Sequence, residues 1–567
     1  MMYFAHDPQK NFYYYGEEPP HGKIYQQYLI DSKPELIAVD VETISLKERI
    51  ALGVGISVKP TTSFYFVLFP EPSPVTPWHL LKDTSIVKVF HNALFDLSAM
   101  REYEIDTTNL KDTNVMARLL CHKFNKLSEL SFIHQMEVHE ATEYIPKGGT
   151  MLGVSQEIVA KKCMQDSGAT LKLYYELWKD TDHNYLDVEM QTIPIMIEMY
   201  NRGILIDQKR RQQVEDELQQ QVDYYYSLCG EVGFNPGSPQ QVAYILAKKG
   251  AYSCFSRLPF TREHSKRNLS TTGEVLGKMD DPLASIILQY RKHSKLLSTY
   301  IKPWAREERA TTHFHLDAIT GRPSSTDRNM QNIPGRFRKD GSEYPHNCRG
   351  ILLPDNNVWT DVDWEQLEPR ILAYLSGDRE MQYIFSQPKY KPDGSRNEEA
   401  DIHLQVAMFM NIERRLGKTV NLAMTYGATD ETLMEHSGIR SIGRVKQLRD
   451  MWGRKFPQAM DWINSRQEDA LRTGVAKTIF GRSIRLPTPD EESIDSIRRK
   501  AVDYPCQGSA AEILKRGLIL CKDLPLALQI HDELLVDGFV PTHRFEPLEN
   551  IAPFHTPVKV KYLECWE

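Results

Sequence analysis

Two short stretches of this chain place carboxylates where they could share divalent cations. In Trp359-Thr-Asp-Val-Asp363-Trp-Glu-Gln-Leu-Glu368-Pro-Arg370 an apolar run ends on Asp363 as a helical pattern begins. In Leu526-Ala-Leu-Gln-Ile530-His531-Asp532-Glu533-Leu-Leu-Val536 two short apolar strands are joined tightly by His-Asp-Glu, a connection expected to present its acids rather than bury them. Carboxylates from separate strands can jointly hold a Mg2+ pair about 3.5–4 Å apart, which activates an attacking oxygen and stabilises a leaving one. Asp363 and Asp532 are the candidates. Between them, Arg414, Lys418 and Leu422 recur every four residues before Tyr426-Gly427, so on a helix they share a face. Two cations on one face suit a triphosphate, whose transfer is catalysed by positioning and by neutralising charge. Without the acids, the same pattern reads as a solvated basic face.

A second group of acids lies nearer the N-terminus. Leu36-Ile-Ala-Val-Asp40-Val-Glu42-Thr43 carries two acids on one face of an apolar strand, an arrangement that costs repulsion unless a cation is present. Asp96 follows another apolar strand in His91-Asn92-Ala-Leu-Phe-Asp96, and Asp166 sits in a helical stretch. Asp40, Glu42, Asp96 and Asp166 form a candidate second two-metal site, this time making water the nucleophile.

The elements that must position these residues follow from periodicity. Residues 36–105 alternate strands (Leu36–Val39, Ile50–Ser57, Phe64–Phe69, Ile86–Phe90) with helical pattern, which predicts a mixed sheet with helices. Residues 108–200 are mostly helical, and Asn201-Arg-Gly203 marks a change that places a domain boundary near 190–200. From 207 to about 305 the pattern is polar and helical, broken by Asn235-Pro-Gly-Ser-Pro239 and the basic Thr261–Asn268, as in an extended arm. Val358–Val362 and Leu526–Ile530 are strand candidates on either side of a helix-rich stretch.

At 567 residues, two to four domains are expected. No stretch approaches the roughly 20 apolar residues of a membrane span, so no membrane partner is expected. The start lacks the basic and apolar regions of a secretory signal, which points to the cytoplasm. Eight scattered cysteines without a C-x-x-C pair argue against a zinc site or a redox motif. The net charge of −7 argues against a nucleic-acid partner only if it is spread evenly. It is not, because Arg440, Arg444, Lys446, Arg449, Arg454 and Lys455 form one basic cluster, and Arg322, Arg328, Arg336, Arg338 and Lys339 another.

Together these residues resemble the bacterial polymerase I family, also called family A. Asp363 to Arg370 resembles its first catalytic motif, Arg414 to Gly427 its nucleotide-binding finger helix, and His531-Asp532-Glu533 its palm hairpin. Thr320-Gly-Arg322-Pro-Ser-Ser-Thr-Asp-Arg-Asn329-Met-Gln331-Asn-Ile-Pro334 is similar to a fourth signature, and the matches run in family order. The N-terminal acids resemble the three motifs of the DEDD exonucleases, the proofreading module that precedes the polymerase in this family. The resemblance implies an α/β and α+β multidomain fold: an RNase H-like 3′→5′ exonuclease domain (25–195) after an N-terminal extension (1–24), then a right-hand polymerase (196–567). Within the latter it implies a thumb at 207–305, a palm at 306–378 and 485–567, and fingers at 379–484. It includes no 5′ nuclease, which suggests a phage-type replicase, with viral DNA replication in a host cytoplasm as the expected setting, or a trimmed repair enzyme.

By the same resemblance, Asp363 and Asp532 bind two Mg2+ ions with help from the Trp364 carbonyl, and Asp40, Glu42, Asp96 and Asp166 bind two more, with Mn2+ as a substitute. Arg414, Lys418 and His403 would contact the incoming deoxynucleoside triphosphate. Tyr426 would stack near the templating position, and Glu368 would fill the space of a 2′-hydroxyl. Arg322, Arg499, Gln507 and His531 would touch primer-template DNA, where minor-groove acceptors are nearly the same for every base pair. Asp112 would order a helix start. Four departures stand out, besides Glu365 in place of a common Ser. Leu422 replaces an aromatic residue, Asp503 replaces an Asn, Trp364 replaces a Tyr at a position expected to contribute mainly backbone, and Lys162 stands where the family orients water with Tyr or His. Lys162 predicts an active but slow exonuclease. The alternatives are a single-subunit RNA polymerase, disfavoured by Glu368 and the N-terminal acids, and a non-catalytic DNA clamp, disfavoured by the intact carboxylates.

Overall fold

A computed structural model of the chain describes residues 3–7, 12–16, 34–46, 49–74, 76–136, 145, 149–230, 233–248, 270–277, 279–335 and 347–566. The basic segment Thr261–Asn268, together with Arg336, Arg338 and Lys339, lies outside the described residues.

The N-terminal region is built on a seven-stranded sheet of β1 (Tyr3–Asp7), β2 (Phe12–Gly16), β3 (Leu36–Thr43), β4 (Ala51–Lys59), β5 (Thr62–Val67), β6 (Val87–Phe90) and β7 (Leu110–Asp112). Their order is β1-β2-β5-β4-β3-β6-β7, with β3 antiparallel to β4 and parallel to β6. Central β3 is covered on both faces, which is why it reads as a continuous apolar run interrupted only by its functional acids. The segment set apart as an N-terminal extension contributes β1 and β2, and Tyr13 and Tyr14 are only 4% and 7% exposed, so this hairpin shares the sheet's core.

Among the helices that flank that sheet are α1 (Ala93–Ala99), α2 (Thr113–Leu119), α3 (Gln156–Leu177) and α4 (His183–Arg202). Helix α3 packs across β3, β4 and β5. Gly55 of β4 permits the approach, since a Cβ there would lie 2.8 Å from the Cys163 carbonyl. That contact sets the Lys162–Asp166 turn of α3 over the acids of β3. Asp112 caps α2 by accepting from the Asn114 amide at 2.8 Å, and it also accepts from the Ala93 amide at 2.7 Å where α1 starts, as its helix-ordering assignment expects.

The polar arm contains α5 (Gln208–Gly230) and α6 (Pro282–Leu296), with a small satellite core of Phe234, Val242, Leu246, Leu283 and Ile287 beside them. The C-terminal region centres on β8 (Trp359–Trp364), β9 (Leu526–Ile530), β10 (Glu533–Asp537) and β11 (Val558–Leu563), in the antiparallel order β9-β10-β8-β11. Strand β11 is not apparent from apolar runs, because Val558-Lys-Val-Lys561 alternates with charge, the habit of an edge strand. Around this sheet lie α7 (Leu367–Ser376), α8 (Ile402–Met410), α9 (Arg414–Thr425) and the 27-residue α10 (Ile494–Leu520).

Helix α10 also packs against α4. At that junction the buried Glu189 carboxylate meets Arg118 of α2 at 2.8 Å and Lys515 of α10 at 2.6 Å. Burial alone would raise the Glu189 carboxyl, but the two cations outweigh it and hold it down at about 2. No described helix is long and apolar enough to cross a membrane. The seven described cysteines are free thiols.

Candidate active sites

Asp363 ends the paired run of β8 against β10, in register with Glu533, and the Trp364 amide donates to the Asp532 carbonyl at 3.1 Å. Antiparallel pairing therefore brings Asp363 and Asp532 side by side on neighbouring strands. Burial, and then the Asp532 charge, pushes the Asp363 carboxyl up to about 7. Burial also raises Asp532, against the pull of Arg322. Two adjacent, part-buried carboxylates short of positive charge meet the electrostatic condition for a divalent cation, and an all-oxygen donor set suits Mg2+ or Mn2+. The His-Asp-Glu turn does not present all its acids, contrary to expectation: His531, at a left-handed φ of 52°, is exposed, whereas Asp532 and Glu533 are half-buried.

The Thr320–Pro334 stretch docks on this hairpin. Gln331 donates to Gln529 Oε1 at 2.8 Å, and Gln529 donates to the His531 carbonyl at 2.9 Å. A cavity of about 290 Å³ opens beside Asp532, lined also by Arg322, Glu368, Tyr426, Gln507 and His531. Within it the Tyr426 hydroxyl donates to the Glu368 carboxylate. Burial raises Glu368, and that hydrogen bond opposes the rise. Gln507 donates to Asp503 Oδ1 at 2.9 Å, so the substituted Asp503 holds the Gln507 amide. Arg499, one turn earlier on α10, is exposed.

A second recess of about 310 Å³ is lined by Asp363, Arg370, Lys389, Arg396, Asp401 and Lys559. Asp401 caps α8 through the His403 and Leu404 amides, each at 3.1 Å, and its Oδ2 accepts from Arg414 Nε at 2.9 Å. Arg414 is thus an anchored cation, while Lys418 one turn on is exposed. His403 is buried, and desolvation depresses its imidazole to about 4, with the Lys418 and Arg414 charges adding to this against Asp401. His403, Arg414 and Lys418 therefore gather in one place, but neither Lys418 nor the half-buried Leu422 lines either cavity.

Three residues were not singled out from sequence. Glu533 is pushed up to about 8 by burial and the Asp361 charge, and Lys561 donates to Asp361 Oδ2 at 2.9 Å. Asp361 was findable, since strand periodicity sets it on the same face as Asp363. Lys561 was not, because it comes from the unrecognised β11. The Trp364 indole, for its part, is buried and fills the space above Gly517, where a Cβ would lie 2.6 Å from the ring.

In the N-terminal region, Asp40 and Glu42 project from β3, Asp96 from α1 and Asp166 from α3, and the four acids converge. Burial and then the Asp166 charge raise Asp40 well above the usual carboxylate range, and burial with the Asp40 charge does the same to Asp96. Asp40 Oδ2 is sealed from solvent without a hydrogen-bond partner, an orphaned acceptor that a metal ion would satisfy. Lys162 reaches Glu42 Oε1 at 2.5 Å and Asp166 Oδ2 at 2.6 Å. His91 is held by Thr113 Oγ1 at 2.8 Å and the Asn125 carbonyl at 2.9 Å, away from these acids.

The architecture is an exonuclease domain followed by a polymerase domain. The profile described as DNA polymerase family A matches residues 206–553, and that described as 3'-5' exonuclease matches residues 27–182. The chain belongs to DNA polymerase family A. It is 27% identical to DNA polymerase I of Pseudomonas aeruginosa over 89% of its own length and 59% of the relative's. Against DNA polymerase I of Bacillus caldotenax the identity is 29%, over 93% and 63%, and against that of Bacillus subtilis 29%, over 72% and 48%. The chain thus spans about half to three-fifths of these relatives, which are bacterial and lend no support to a phage origin. A solved structure described as the POL domain of Pol1 from M. smegmatis, in complex with DNA primer-template and dNTP, shares its fold. The TM-score is 0.74 and the identity 23%, over 96% of this chain and 98% of that one.

Proposed function

We propose that this chain is a template-directed DNA polymerase that adds deoxynucleotides to a primer 3′ end, with a 3′→5′ exonuclease that removes misplaced ones, and that it serves DNA replication. The supporting observation is the pairing of β8 with β10, which sets Asp363 beside Asp532, each at the edge of a recess. Mg2+, with Mn2+ as a substitute, would be held as a pair by Asp363 and Asp532 and, in the other domain, by Asp40, Glu42, Asp96 and Asp166; bound there, it would activate an attacking oxygen and neutralise charge at the leaving one.

The side chains do the positioning. Lys418 and Arg414 neutralise triphosphate charge, Arg414 from a guanidinium already oriented by Asp401. His403 offers a neutral hydrogen-bonding edge at pH 7, because its imidazole is depressed. Tyr426 and Glu368 form a hydrogen-bonded wall where a ribose 2′-hydroxyl would intrude. Arg322, Gln507 and His531 line the approach to the primer terminus, with Arg499 on the exposed side of α10. The arm at 207–305 acts as a thumb, the β8–β11 sheet as the palm floor, and 379–484 as fingers.

The experiment is magnesium-dependent primer extension on a defined template. Extension with deoxynucleotides, lost in Asp363→Asn, is the expected result. Equal use of ribonucleotides, or extension that survives that substitution, overturns the reading.

A further inference from the structure

The four acids of the exonuclease domain are not equally available. Lys162 lies one turn before Asp166 on α3, so its stem runs along the helix and its ammonium stands between α3 and β3. There it bridges Glu42 Oε1 and Asp166 Oδ2 at 2.5 and 2.6 Å, with 19% of its side chain exposed. These are short, charge-assisted contacts to the oxygens a divalent ion would need on that side of the site. On the other side Asp40 Oδ2 is sealed and unpartnered, Asp40 and Glu42 bring carboxylate oxygens within 4.8 Å of each other, and the Asp40 charge acts on the buried Asp96. Cys163, although near, donates its thiol to the Asp40 carbonyl at 3.4 Å and offers a hard ion only a soft ligand.

Charge arithmetic points the same way. Two divalent ions alone would neutralise four carboxylates. An ammonium among them would leave an excess of buried positive charge, whereas one divalent ion with the ammonium leaves the site slightly negative. We propose that Lys162 is the resident cation of this site, standing in for one of two divalent ions, so that the site takes a single ion against Asp40, Glu42 and Asp96. The proposal rests on the exonuclease reading and revises the expectation of two ions there.

The test counts ions rather than turnover. In the full chain carrying Asp363→Asn and Asp532→Asn to silence the polymerase site, Mn2+ is titrated and its free signal followed by electron paramagnetic resonance. The count for the exonuclease site is the number of ions lost on adding Asp40→Asn. One ion is expected, rising to two in Lys162→Met and staying at one in Lys162→Arg. Two ions before Lys162 is changed overturn the proposal while leaving the exonuclease reading intact, as does a count that stays at one in Lys162→Met. Should Lys162→Met fail to fold, the count with Lys162 in place decides alone. No ion lost on adding Asp40→Asn overturns both the proposal and the exonuclease reading.

Discussion

At the Asp363–Asp532 site the positive charges acting on the acids stand at the rim, on Arg322 and Lys561, whereas at the Asp40–Glu42–Asp96–Asp166 site one stands in the middle, on Lys162. Both clusters combine burial with mutual repulsion, and both leave carboxyls above their ordinary range. Cations at the rim leave the space between the central acids open, and those acids keep most of their demand for metal. A central cation satisfies part of that demand within the protein and narrows what the site can still bind. The difference is therefore one of vacancy for ions rather than of acid count.

The comparison is broken most decisively by removing the acids one site at a time. Asp363→Asn or Asp532→Asn is expected to lower primer extension by on the order of 10³ or more while single-strand degradation persists, and Asp40→Ala to do the reverse, as loss of several kcal/mol of metal stabilisation implies. Unchanged degradation in Asp40→Ala would end the N-terminal assignment.

The Glu189 junction is a third case of charge in the interior, with two cations around one carboxylate. Glu189→Gln is expected to cost about 3–5 kcal/mol in a denaturant titration, because it strands Arg118 and Lys515.

A smaller effect separates rim from centre by pH. Because the Asp363 carboxyl is raised to about 7 in the fold, its protonated form is the favoured one. Its contribution to stability is complete below its unfolded value near 4 and is lost as pH rises through 7. Without divalent ions, Asp363→Asn should therefore melt about 2–4 °C above the parent at pH 8 and level with it near pH 4, as differential scanning calorimetry would show.

The smallest change concerns Leu422, which lacks a hydroxyl. Leu422→Tyr is expected to raise dideoxynucleotide use relative to deoxynucleotide use. Comparable kcat/KM for the two substrates in the parent would remove the basis for that expectation.

The acids and the basic helix were legible in sequence because their signals are local. Period two sets Asp40 with Glu42, period four sets Arg414 with Lys418, and a two-residue turn carries Asp532. The partners that tune them were not, because each arrives from a distant segment. Asp401 anchors Arg414 across a loop, Lys561 reaches Asp361 from an edge strand disguised by alternating lysines, and the Gly517 gap under Trp364 exists only once α10 packs on β8. The N-terminal hairpin was missed for a related reason. Tyr13 and Tyr14 are apolar enough to be buried, but they sit in a five-residue stretch, nearly all aromatic, without the period-two alternation that announces a strand.

The Glu189 knot has a bearing on how the enzyme can be dissected. Its carboxylate comes from α4 and one of its two cations, Lys515, from α10. A shortened chain beginning near residue 200 would lose α4 along with Glu189, which uncovers Lys515 to water and with it the face of α10 that α4 covers, so its loss of stability is expected to come from bared apolar surface rather than from a stranded charge.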